Sequence, residues 1–112
     1  MKSIPEYDLH PKGARVDDAL AIFDRIVSRE RGRHGMFAVV TGYGSSGGTA
    51  MIKNAVLAAC RKYKSQNHIR GFIDGEKAGD MFSAEALTFP RYAEIPVAYK
   101  RSGNQGVVIV VT

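Results

Sequence analysis

Apolar residues fall in alternating blocks along the chain, some at helical spacing and some in continuous runs. Val16, Ala19, Leu20, Phe23 and Val27 recur at steps of three and four, one stripe that predicts an amphipathic helix. Asp17 and Asp18 in its first turn and Arg29 and Arg31 in its last suit the helix dipole, and Gly32 is placed to cap it. Met36 to Thr41 is a continuous apolar run of strand length, as expected of a strand covered on both faces. A second helix is predicted from about Thr49 to Lys64, with Ile52, Val56, Ala59 and Tyr63 on its inner stripe. Cys60 falls beside that stripe and reads as a buried structural thiol.

The remaining signals are shorter. Ile4 to Leu9 predicts a first strand, which Pro5 confines to an edge. His68 to Ile73 reads as a third strand, and Gly106 to Val111 as a buried central one. Residues 74–96 are the least regular part, punctuated by Gly75, Gly79, Pro90 and Pro96. Within and after them, Ser83 to Leu87 suggests one helical turn and Val97 to Tyr99 a short strand. Strands alternating with helices predict an α/β fold with a mixed, mostly parallel sheet of about four strands. Two main helices on one face would make it a two-layer sandwich.

Composition narrows the class. The 112 residues, 45% apolar and 24% charged, fit one globular domain spanning 1–112, with an irregular insertion around 74–99. A single cysteine excludes an intrachain disulfide and fits a reducing compartment. The first residues lack the apolar core of a signal peptide, and no run approaches the roughly 18 apolar residues of a membrane helix. A cytoplasmic protein without membrane contact is therefore expected; oligomeric state cannot be read.

Charge changes the picture more. The net charge is +5, and residues 36–73 alone carry Lys53, Arg61, Lys62, Lys64 and Arg70 against no acid. A positive field confined to the middle third suits a polyanionic partner, DNA or RNA.

Two motifs lie where the fold would place a site, beyond the carboxyl ends of strands. Asp8 and His10 end the first strand two residues apart, hence on one face. A carboxylate beside an imidazole can orient the ring while the ring moves a proton near neutral pH. After the second strand come Thr41, Gly42, Tyr43, Gly44, Ser45, Ser46, Gly47, Gly48 and Thr49. Glycine leaves backbone N–H groups bare, the following helix adds its positive end, and the hydroxyls and Lys53 supply further donors: a cradle for phosphate. Tyr43, between two glycines, could stack on a base.

Gly42 to Gly47 also matches G-x-G-x-x-G, and Asp74 ends the next strand as a ribose-binding acid would. Asp74 lies 27 positions past Gly47, however, and the chain is too short for two mononucleotide-binding halves. A triphosphatase loop fails because its lysine position is Gly48. His10, His34 and His68 are scattered without zinc-site spacing, so no structural metal is expected.

Taken together, Asp8-Leu9-His10 before a helix, Thr41-Gly42-Tyr43-Gly44 after the next strand, and Gly103-x-x-Gly106 before an apolar strand resemble the Smr (small MutS-related) domain. The resemblance covers nearly the whole chain. It implies a two-layer α/β sandwich similar to the C-terminal domain of translation initiation factor 3. It also implies nucleic-acid binding, often with endonuclease or nicking activity. On that resemblance Asp8 and His10 take the place of the family's D-x-H cleavage motif, and Thr41, Gly42, Tyr43 and Gly44 that of its phosphate-proximal loop.

This chain departs from the family at Pro11 and Lys12, two residues inserted between His10 and the glycine at 13, and in its longer stretch from Asp74 to Tyr99. The reading is thus a small endonuclease with His10 as general acid or base. Asp8 either orients His10 or helps hold a divalent cation, Mg or Mn, and both roles stay open. The alternatives are a non-catalytic nucleic-acid-binding module and a small-molecule nucleotide binder.

Overall fold

The computed structural model describes residues 4–9, 15–42, 47–102 and 106–112, and the side chains of all these except 47–50, 101 and 102. Three strands alternate with two long helices: β1 (Glu6–Asp8), α1 (Val16–Glu30), β2 (Met36–Val40), α2 (Gly47–Ser65) and β3 (Gly71–Asp74). Three short helices follow, α3 (Gly75–Ala78), α4 (Ala84–Thr88) and α5 (Val97–Ser102), with a 3₁₀ turn at Tyr92–Glu94, before β4 (Val107–Val111) closes the chain. The four strands form one sheet in the order β1-β2-β4-β3. With α1 and α2 on one face it is a two-layer α/β sandwich with a mixed sheet.

Helix α1 forms where its stripe predicts. The Asp18 carboxylate accepts from the Arg15 backbone N–H at 3.3 Å, half of a capping box. At the other end Arg31 N–H donates to Val27 O, and Gly32 turns the chain out with φ +81°, a left-handed value that glycine adopts without strain. Ala19, Phe23, Ile26 and Val27 are buried against Ile52, Val56 and Cys60 of α2. Phe23 meets Tyr63 at 5.9 Å between ring centroids, and the Tyr63 hydroxyl donates to Asp24.

All five residues of β4 are buried, as its unbroken apolar run predicts. Val108 and Val110 face α1 and α2, whereas Val107, Ile109 and Val111 face the opposite side. Its direction departs from simple alternation. The β1–β2 pair is parallel, but β4 runs antiparallel between β2 and β3, so only one of three ladders is parallel.

The second sheet face is roofed by residues 75–102. Ala78, Ala86, Phe89 and Ile95 bury a second core with Met36, Ala38, Ile73 and Ile109. Here the structure corrects one expectation: residues 97–99 open α5 rather than forming a strand. Their segment crosses the face of the sheet instead of an edge, so no strand lies alongside to pair with, and Tyr99 N–H bonds Pro96 O at 3.0 Å. The turn expected at Ser83–Leu87 is α4, with the Ser83 hydroxyl accepting from Ala86 N–H at 3.1 Å as its N-cap.

Candidate nucleic-acid interface

The carboxyl ends of β1, β2 and β3 and the start of β4 share one edge of the sheet. Asp8 pairs in register with Val40, and Leu9 N–H extends the ladder to Val40 O at 2.8 Å. The strand carrying the acid therefore opens beside the strand carrying the glycine loop, as the parallel crossover predicts. Tyr7 packs into the α1 side, where its ring meets Phe37 edge-on at 5.8 Å. Alternation turns Glu6 to the other face, where the Tyr99 hydroxyl donates to it at 2.7 Å, while Asp8 at the strand's end borders a hollow on the α1 side.

Thr41 is wholly buried. Its N–H and its hydroxyl both donate to Gly106 O, at 2.7 and 3.3 Å, so it ties the end of β2 to the start of β4. The expected phosphate role of Thr41 thus falls on a hydroxyl turned inward. Gly42 has φ +89°, a left-handed value that a side chain would strain. Gly47 opens α2, whose 19 residues give the loop's far end a full helix dipole. His10, Tyr43, Gly44, Ser45 and Ser46 lie outside the described residues.

Lys53 lies one to two turns into α2, and its ammonium contacts Asp74 at 2.9 Å with both side chains largely covered. Asp74 also accepts from Glu76 N–H at 3.0 Å, capping α3. The acid suggested by the dinucleotide pattern is therefore occupied with protein partners, and Lys53 shares its charge with it.

Two cations escaped the sequence reading. Arg25 and Arg29 of α1 border a shallow hollow with Tyr7 and Asp8, and the Arg29 guanidinium lies 5.2 Å from the Tyr7 ring centre. Their four-residue spacing on a helix, which puts them on one side, was the available signal. Among the described residues no three Asp, Glu, His or Cys side chains come together as a metal site. Of the described acids at this edge, Asp74 is engaged by Lys53 and by the first turn of α3. Burial pushes the Cys60 thiol up to about 12, which leaves it protonated and inert as a nucleophile.

No protein-family model, curated protein or solved structure matches the chain.

Proposed function

We propose that this chain binds nucleic acid along the carboxyl edge of its sheet and cuts a phosphodiester there, in the manner of an Smr-like nuclease. The observation that carries the reading is the parallel pairing that sets Asp8 opposite Val40, one residue before Thr41 and Gly42. A phosphate at that edge would meet the loop N–H groups and the positive end of α2, while the flanking backbone would run past Arg25 and Arg29.

In the proposed reaction His10 takes the proton of an attacking water as its oxygen bonds to phosphorus. The bond to the leaving oxygen breaks, and that oxygen is protonated from solvent. Asp8 positions the imidazole, and the loop amides stabilise the charge that grows on the phosphoryl oxygens. Lys53, already paired with Asp74, contributes less to the grip than an unpaired lysine would.

The test is incubation of the purified chain with labelled single-stranded, duplex and branched DNA and RNA, with and without magnesium. Asp8→Ala and His10→Ala are expected to abolish nicking while binding stays within about threefold. Arg25→Glu should weaken binding across all sequences and lower the salt slope by about one. Variants at Asp8 and His10 that cut as fast as the parent would refute the catalytic assignment. Parent chain that binds without cutting would reduce it to a binding module.

A further inference from the structure

We propose that the open edge of β3 takes an acidic peptide in extended form as a fifth strand of the sheet. This goes beyond the nuclease reading, uses a different edge, and does not rest on it.

Among the described residues, strand β3 pairs with β4 on one side only and ends the sheet. All four of its residues line a groove of about 270 Å³, walled by α2 on one side and by α3, α4 and Pro90 on the other. The floor of the groove is thus strand backbone. Along such an edge, alternate residues direct N–H and C=O groups outward, a row of donors and acceptors suited to another strand. The walls are partly apolar: Leu57 and Phe72 toward α2, Phe89 and Pro90 toward the cap.

Charge selects the occupant. Arg61, Lys64 and Lys77 line the walls, and none forms an ion pair with another described residue. Of the two carboxylates there, Asp74 is held by Lys53, which leaves Glu85 facing three cations. A second copy of this chain would bring those cations against themselves. A nucleic-acid backbone offers acceptors only, and so satisfies half of the edge. An acidic strand matches both the charges and the alternating amides, with its carboxylates toward Arg61 and Lys64 and its apolar side chains toward Phe89 and Pro90.

The probe is a fluorescein-labelled eight-residue peptide of alternating Glu and Val, read by fluorescence anisotropy against the full chain. Saturable binding is expected, weakened about tenfold or more by Arg61→Glu with Lys64→Glu, both at exposed positions. Lys77→Glu, on the wall that takes the apolar side chains, should weaken it less than the pair on α2. The same peptide N-methylated at alternate residues keeps its charge and loses strand pairing, so it should not bind. Equal binding of the methylated peptide, or none of the parent peptide, would overturn the proposal. Displacement of bound peptide by a thymidine oligonucleotide at equal phosphate and carboxylate concentration would do so too, by making the groove a nucleic-acid site. Nicking by the parent chain is measured separately, so failure of one proposal leaves the other standing.

Discussion

The two faces of the sheet are covered by opposite strategies. On one lie α1 and α2, helices of 15 and 19 residues, each bringing a continuous apolar stripe. On the other lie three helices of four, five and six residues and one 3₁₀ turn, each too short to hold itself in water. The first face is made of elements that already lean toward their native form. The second is made of elements that exist because side chains pin their ends: Asp74 and Ser83 as caps, Tyr92 O–H bonded to Ala78 O at 2.7 Å, and Arg91 bridging to His34 O at 2.9 Å and to Glu94. The contrast teaches that a sheet face can be buried either by intrinsic periodicity or by a series of local anchors, and the two should fail differently.

The largest effect should come from Phe23→Ala. Deleting a wholly buried ring between α1 and the sheet is expected to cost about 3–5 kcal/mol of global stability, read by denaturant unfolding. Ile95→Ala removes an equally covered side chain from the other core, at about 2–5 kcal/mol. Its signature should be faster amide exchange across 75–102 than in α1 and α2. Uniform loss of protection over both faces would break the comparison.

Gly71→Ala comes next. A Cβ there would sit 2.6 Å from Pro90 Cδ, a ring atom that cannot swing aside, so the cap must shift at a cost of about 1–3 kcal/mol. Ser83→Ala should cost about 1 kcal/mol through the lost cap of α4, again confined to the second face.

The smallest effect concerns pH and touches both faces. Burial, reinforced by the bond to Asp24, pushes Tyr63 up to about 12; burial and the bond to Glu6 do the same for Tyr99. A phenol with a raised folded pKa holds its proton longer than the unfolded chain, so this stability is complete below pH 10. It is lost as pH climbs from 10 through 12. Tyr63→Phe and Tyr99→Phe should each flatten that alkaline decline, measured by thermal unfolding between pH 9 and 12; an unchanged slope in both would discard the assignment.

The placing of Asp8 beside the end of the second strand was legible because the order of neighbouring elements settles it. Two strands joined by one helix run parallel, so Asp8 and the residues after Val40 had to emerge at one edge. The inward hydroxyl of Thr41 was not legible, since its acceptor, Gly106, lies 65 residues on. The Lys53–Asp74 pair was hidden for the same reason, with a helix and a loop between its members. Arg25 and Arg29 were visible as a spacing, but only the packing of α1 beside β1 places them next to Asp8.

The chain's own periodicities determined the two long helices, the apolar strands β2 and β4, the buried thiol and the cap at Gly32. Each depends on residues within a few positions, where helix and strand geometry repeat. The tertiary structure alone decided that β4 returns antiparallel between β2 and β3, that residues 97–102 coil rather than extend, and that 75–102 close the second face. Those outcomes turn on which distant surfaces must be kept from water, and buried area is a property of the assembled sheet, not of any segment that enters it.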